Sequence, residues 1–202
     1  MAEFRALPRQ KPPLEYVDGV VYQRPLLSPT GSAVRGELTS ALHQYGRTHQ
    51  HGEGLGGVDC VTDETLLVPA VSYYCRTTLR ARGIRSYRED WGVPDLALEI
   101  VPAEEPGGLD LHQKIELYFD LGVALVLLID VEAETVQTLR RDQSLVVASG
   151  DELIDFGSLV PGFELTVRGL FDRALPKWLW GPRGGQAEDD AAASERPDAS
   201  GG

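Results

Sequence analysis

The sequence is poor in the features that crosslink a protein or send it to a membrane. It has two cysteines, Cys60 and Cys75, among 202 residues, and two cysteines do not make a disulfide framework or a zinc site. No apolar run reaches the roughly 18 residues that span a bilayer, and residues 1–11 lack the apolar segment of a signal peptide. We therefore expect a cytoplasmic protein with no membrane partner.

Basic charge is scarce as well. The formal net charge is −12, and residues 184–202 carry −4 of it through five acids and one arginine. An acidic body argues against broad, non-specific duplex binding, which relies on a basic surface. One dense basic run either contacts nucleic acid or forms a solvated helix or loop face. It consists of Arg76, Arg80, Arg82, Arg85 and Arg88.

The composition predicts a single domain with loose ends. Hydrophobic residues make up 42% of the chain and charged residues 25%, as in ordinary globular proteins. The polar, proline-bearing residues 1–13 predict a loose N-terminal arm, and residues 14–183 predict the domain. Residues 184–202 predict a disordered acidic tail, because their small and acidic side chains cannot offset the entropy of ordering. Whether the domain forms a homodimer is left open by the sequence.

The hydrophobic pattern indicates an α/β protein. Leu14 to Gln23 predicts a hairpin, whose Asp18-Gly19 turn suits positive φ values. Apolar positions from Val34 to Tyr45 recur at helical spacing, and the glycine-rich residues 52–57 are interpreted as a plain connection. The other predictions are an irregular segment at 76–91, strands at 58–61, 66–74, 96–101 and 124–129, a hairpin formed by 135–139 and 144–148, and helices at 109–121 and 167–179.

A buried acid and a lysine are the candidates for chemistry. Glu99 lies in a short apolar strand, where a carboxylate is costly unless it is paired or binds a metal. Lys114 lies on the next predicted helix, with Tyr118 one turn further on. Because Lys114 also follows Asp110 by four residues, a solvated ion pair explains it nearly as well. Asp130, at the end of a buried strand, predicts a capping acid rather than a catalyst.

Three histidines near the end of the first helix suggest a metal site at first sight. His43, His49 and His51 lie there without an acid or cysteine partner in the sequence pattern, so a solvated helix terminus is the preferred interpretation.

Several segments, taken in order, resemble one protein family. The first two are residues 14–22, Leu-Glu-Tyr-Val-Asp-Gly-Val-Val-Tyr, and residues 94–101, Pro-Asp-Leu-Ala-Leu-Glu-Ile-Val. The later ones are Lys114, Tyr118, Gly122, Val123 and Asp130, followed by Leu159, Gly162 and Leu170. Together they resemble the Uma-two family of restriction endonucleases over roughly residues 14 to 175.

The resemblance implies a PD-(D/E)xK nuclease fold, with a mixed central sheet flanked by helices and an N-terminal hairpin. It also implies Mg²⁺-dependent hydrolysis of nucleic-acid phosphodiesters. An aspartate and a glutamate hold the metal in that family, and a lysine helps to position the attacking water. Carried to this sequence, Glu99 becomes a metal ligand and catalytic residue, and Lys114 becomes a catalytic residue. Hard oxygen ligands suit Mg²⁺, which lowers the pKa of bound water.

The sequence departs from the family pattern at three positions. Ala70 stands in Val68-Pro69-Ala70-Val71 where the family has its metal-binding aspartate, and a methyl group binds no metal. Arg35 replaces a frequent histidine, and Pro102 replaces a serine. We therefore expect activity to be weakened or lost, and whether the chain is an enzyme or an inactive nuclease-fold binding or regulatory module is left open.

Substitute ligands are few. Asp95 shares a strand face with Glu99 but lies about 13 Å away at four residues' distance. Asp59, Asp63 and Glu64 lie on a neighbouring strand or turn, and one of them could take the place of the missing aspartate. The family pattern predicts that Ala70, Glu99 and Lys114 converge on one cleft, and that Ala70→Asp returns the metal ligand.

Overall fold

The structure is a computed structural model that describes residues 4, 12–62, 64–87, 89–102, 108–176 and 178. The predicted tail and most of the predicted arm lie outside these residues. The strands are β1 Leu14–Val17, β2 Val20–Gln23, β3 Gly52–Gly56, β4 Cys60–Val61, β5 Thr65–Leu67, β6 Val71–Cys75, β7 Leu96–Ile100, β8 Leu125–Asp130, β9 Thr135–Leu139 and β10 Val146–Ser149. The helices are α1 Pro29–Thr48, α2 Arg76–Ala81, α3 Leu111–Asp120 and α4 Val167–Ala174, with a 3₁₀ turn at Gly157–Leu159.

The main sheet has six strands in the order β10-β9-β8-β7-β6-β3. Strands β7 and β8 are parallel, and each of the other neighbouring pairs is antiparallel. Parallel neighbours need a crossover connection, and α3, which carries Lys114, lies between them in the chain. The mixed central sheet flanked by helices is therefore confirmed.

The N-terminal hairpin belongs to a second, smaller sheet. Its four strands lie in the order β2-β1-β5-β4. The hairpin turn has φ of 48° at Asp18 and 88° at Gly19, as the turn residues predict. Through β5, this sheet joins the hairpin to the chain that enters β6 of the main sheet.

Alternation along the central strands separates two apolar cores. The first core contains Leu96 and Leu98 of β7 with residues of α1 and α4. The second core contains Ala97 of β7 with Ile115 and Tyr118 of α3. Odd-numbered residues of β7 therefore point towards α3, and the next odd residue after Ala97 is Glu99.

The predicted strand at 66–74 is wrong, because the chain forms two strands in two different sheets there. β5 ends at Leu67 and β6 begins at Val71. Pro69, which lies between them, has no N–H to donate to a ladder. Other elements also differ from their predicted bounds. β4 covers only Cys60–Val61, the segment at 76–91 contains α2, α3 covers Leu111–Asp120, β10 covers Val146–Ser149, and α4 ends at Ala174.

The glycine-rich segment after α1 is an edge strand rather than the predicted plain connection. β3 pairs with β6 from Gly52↔Cys75 to Gly56↔Val71. A Cβ added at Gly54 would lie 2.7 Å from Leu42 Cβ of α1, so the missing side chain lets the helix approach the strand. The sequence interpretation took glycine as a mark of a loop, whereas close packing requires it here.

Both cysteines are free and buried. Burial raises the pKa of Cys60 and of Cys75 to about 12. None of the helices in the described part of the chain is long and apolar enough to cross a membrane.

The packing of α1 on β3 yields a matched pair of substitutions. Gly54→Ala should lower the free energy of unfolding by about 1–3 kcal/mol, because the methyl group meets the helix. Gly36→Ala, on the exposed side of α1 with nothing within 4 Å of the added Cβ, should raise it by about 0.5–1 kcal/mol. Urea denaturation measures both. Equal effects of the two substitutions would contradict this account of β3.

Candidate functional site

Glu99 lies in the middle of the molecule and is held by α3. Its side chain is 4% exposed, and Oε1 accepts a hydrogen bond of 2.6 Å from the Tyr118 hydroxyl. Asp110 caps α3 by accepting from the backbone N–H of Gln113. Lys114 and Tyr118 are one turn apart, so both reach the same strand.

The Lys114 ammonium lies between two carboxylates. Nζ is 2.8 Å from Glu99 Oε1 and 2.7 Å from Glu15 Oε1, and it donates at 3.4 Å to the carbonyl oxygen of Val68. The side chain is 6% exposed. This burial rules out the solvated pair with Asp110, and the expected proximity of Glu99 and Lys114 is found.

Glu15 is the site residue that the sequence reasoning missed. It lies on β1, where Glu15 and Val17 are buried and the alternating residues are not. Glu15 Oε1 also accepts from the backbone N–H of Val68 at 2.8 Å. A two-residue repeat pairs Glu15 with Val17 and Leu14 with Tyr16, and only the structure shows that the face of Glu15 and Val17 meets the second core.

Arg24, directly after β2, completes a group that we call the four-charge cluster: Glu15, Arg24, Glu99 and Lys114. Arg24 Nη2 lies 3.4 Å from Glu99 Oε2, and Arg24 Nε lies 3.9 Å from Glu15 Oε1. Two carboxylates and two cations make the cluster neutral, which is how buried charges are tolerated.

Tyr118 is the neutral donor of the site. Burial, with smaller contributions from the charges of Glu99 and Glu15, raises the pKa of its hydroxyl well above the usual value. The hydroxyl therefore keeps its proton at physiological pH and orients the Glu99 carboxylate.

The four-charge cluster lines a pocket of about 170 Å³. The start of α3 also lines it through Asp110 and Leu111, and Pro102 lines it in the position where the family has a serine. A small ligand can thus reach charged atoms that are otherwise enclosed in protein.

Ala70 does not share this pocket. Its side chain is 1% exposed and packs in the first core, whereas Glu99 contacts α3 on the other face of β7. The expected convergence of Ala70 with Glu99 and Lys114 is therefore not found. The chain bends at residues 68–70, so the alternation of β6 does not extend to Ala70, and the segment touches the cluster through the backbone of Val68.

The proposed substitute ligands lie elsewhere or outside the description. Asp59 and Glu64 are exposed, and Asp63 lies outside the described residues. Asp95 accepts from Cys75 N at 2.7 Å and from Thr78 Oγ1 at 2.6 Å, which anchors the start of α2. Asp130 accepts from the backbone N–H groups of Glu132 and Ala133, so its prediction as a capping acid is confirmed.

The arginines of the basic run differ in their contacts. Arg82 donates to the carbonyls of Trp91 and Val93 at 2.7 and 2.6 Å, so it serves the structure. Arg88 lies outside the described residues, and Arg76, Arg80 and Arg85 are exposed.

His43 contacts the buried Glu53, which corrects the expectation that these histidines lack an acid partner. Among the described residues, no group of three or more histidine, cysteine or acidic side chains is placed to hold a metal.

Comparison with known proteins agrees with the fold. The Uma2 family, described as "Putative restriction endonuclease", matches residues 1–168. This chain belongs to that family. The crystal structure of "a putative nuclease belonging to DUF820" from Anabaena variabilis is similar with a TM-score of 0.73 and 21% identity, covering 86% of this chain and 98% of the other. At that identity the likeness concerns the fold alone. No curated protein matches the chain.

Lys114 should be the main stabilising element of this Uma2 site. Lys114→Met leaves Glu15 and Glu99 buried side by side without their shared cation, so the free energy of unfolding should fall by about 3–5 kcal/mol. The control is Arg141→Met, which breaks an exposed pair with Asp120 and should change stability little. Chemical denaturation at neutral pH compares the two variants, and a small effect of Lys114→Met would contradict the pairing.

Proposed function

We propose that this Uma2 protein acts on nucleic-acid phosphodiesters with a metal-dependent activity that its own side chains weaken. Glu15, Glu99 and Lys114 form the proposed active site, and Glu15 supplies the second carboxylate that Ala70 does not. The observation that carries the proposal is the position of Lys114 Nζ, within 2.8 Å of both carboxylates. The ammonium takes the place between them that suits a divalent cation.

The candidate ligand atoms are oxygens, the type of donor atom that Mg²⁺ binds. Glu15 Oε1, Glu99 Oε1 and the Val68 carbonyl oxygen surround one positive charge, and hard oxygen ligands of this type are those that Mg²⁺ prefers. When bound, the metal would lower the pKa of a water and offset phosphate charge. The metal would be held by Glu15 and Glu99.

The charges explain why the activity should be weak. The two carboxylates are already neutralised by Lys114 and Arg24, so an added divalent cation meets two positive side chains at short range. Metal binding therefore requires the ammonium to move aside. The four-carbon stem of lysine permits such a movement more easily than a guanidinium fork would.

Nucleic acid gives the two cations another anion to contact. A phosphodiester in the pocket would attract Lys114 and Arg24, and their departure would free both carboxylates for the metal. Tyr118 would then still hold Glu99 in place. We therefore expect metal and nucleic acid to favour each other's binding, with the reciprocity that linkage requires.

The neutrality of the four-charge cluster also favours a second candidate function. A chain whose carboxylates are permanently paired would be an inactive nuclease-fold module that binds nucleic acid or regulates a partner. The two candidates differ in whether a divalent cation can displace Lys114.

Removing the ammonium should strengthen metal binding. Lys114→Gln should bind Mn²⁺ roughly tenfold or more tightly than the wild type in calorimetric titration, because one cation leaves the site. Mn²⁺ should also raise the melting temperature of this variant more than that of the wild type. Adding Glu15→Gln should cancel both gains. Equal Mn²⁺ affinity of Lys114→Gln and the wild type would argue against a metal site here.

Nicking of supercoiled plasmid DNA tests the activity itself. The wild type should nick slowly and only with Mg²⁺ or Mn²⁺, and both Glu15→Gln and Glu99→Gln should abolish nicking, because each removes one ligand charge. The surface variant Asp120→Asn should keep the wild-type rate. Absence of nicking by the wild type in either metal would favour the inactive module.

A further inference from the structure

A second pocket, of about 540 Å³, lies where α1, β3 and α2 meet. Its lining shares no residue with the lining of the pocket at the four-charge cluster. The volume falls in the usual range for sites that bind small molecules. We call it the arginine pocket, after Arg47, Arg76 and Arg85 in its lining.

A buried carboxylate organises one side of the arginine pocket. Glu53, on the edge strand β3, has a side chain that is 9% exposed. It contacts His43 Nδ1 and accepts from the Tyr87 hydroxyl, and Arg47 Nε lies 3.9 Å away. Glu53 thus holds the Tyr87 ring beside the pocket through a hydrogen bond and has the Arg47 guanidinium nearby.

Two aromatic rings form one side of the pocket. Tyr87 and Trp91 both line it, with ring centroids 5.2 Å apart and ring planes inclined at 37°. Trp91 is buried and donates from Nε1 to the carbonyl oxygen of Ser86 at 3.1 Å, whereas Tyr87 is 62% exposed. An exposed ring supported by a fixed, buried ring is a suitable surface for stacking a planar ligand.

The charge of the arginine pocket is opposite to that of the chain. Three arginines and one carboxylate line the pocket, whereas the whole chain has a formal net charge of −12. Arg76 Nη1 also donates to the Gln50 carbonyl oxygen at 3.2 Å, which restricts its position. Guanidinium groups gathered at one place suit phosphate, which they can bind with two parallel hydrogen bonds.

We propose that the arginine pocket binds a single nucleotide, with its phosphate at Arg47, Arg76 and Arg85 and its base against Tyr87 and Trp91. The ligand is either a free nucleoside monophosphate or the phosphorylated end of a single strand, because both offer one planar base beside one phosphate. Such recognition by stacking and charge is sequence-tolerant. It does not depend on metal binding or hydrolysis at Glu15, Glu99 and Lys114.

The test is a calorimetric titration of the full chain with adenosine 5′-monophosphate, inorganic phosphate and a short 5′-phosphorylated single-stranded DNA, at one ionic strength. The nucleotide should bind more tightly than inorganic phosphate and should shift the indole N–H signal of Trp91 in a ¹⁵N-correlated NMR spectrum. A DNA end that binds more tightly than the nucleotide identifies a strand end as the ligand, and the reverse identifies the free nucleotide. Both outcomes support the binding of a nucleotide in the arginine pocket.

Matched variants separate the pocket from general electrostatics. Arg76→Ala and Tyr87→Ala should each weaken nucleotide binding about fivefold or more, whereas Arg80→Ala removes the same charge from the same helix outside the lining and should leave it unchanged. Asp120→Asn, an exposed position that lines neither pocket, should also leave it unchanged. Equal losses for Arg76→Ala and Arg80→Ala, or equal affinity for phosphate and nucleotide, would overturn the proposal.

Discussion

The buried contact of one ammonium with two carboxylates is the interaction on which the arrangement of this protein depends. Lys114 comes from α3, Glu99 from the main sheet and Glu15 from the hairpin, so a single positive charge joins three separately formed elements. Charges buried in this way are tolerated only when they are fully paired. The geometry of the hairpin relative to the main sheet therefore depends on the same atoms as the proposed chemistry.

Local sequence patterns predicted much of the fold. The apolar run of β8, the short apolar run around Glu99 and the periodicity of α3 each depend on residues that are close in the chain, and these elements were found. Residues 52–56 and 68–70 were misjudged for the opposite reason. Gly54 is explained by the approach of Leu42, and the bend after Leu67 sends the chain from one sheet to another, so neither is visible in a local pattern.

Two of the four residues of the four-charge cluster could be predicted from the sequence. Glu99 and Lys114 were recognisable because an acid in an apolar strand and a lysine on the following helix are unusual in their own surroundings. Glu15 lies in, and Arg24 directly after, a hairpin whose sequence resembles an ordinary exposed one, and both enter the site only when that hairpin packs over α3. Ala70 was expected in the site because of its position in a motif, but its side chain packs in the first core. A motif position does not determine which core a side chain enters.

Stability and the proposed metal binding depend on the same two carboxylates in this site. Any interaction that strengthens the pairing of Lys114 with Glu15 and Glu99 makes the folded chain harder to open and makes a divalent cation a weaker competitor. In the proposed function, an anionic ligand would change this balance by attracting Lys114 and Arg24, and a divalent cation would change it by attracting the carboxylates. Because each displacement lowers the cost of the other, a site that binds neither ligand well alone can still bind both together.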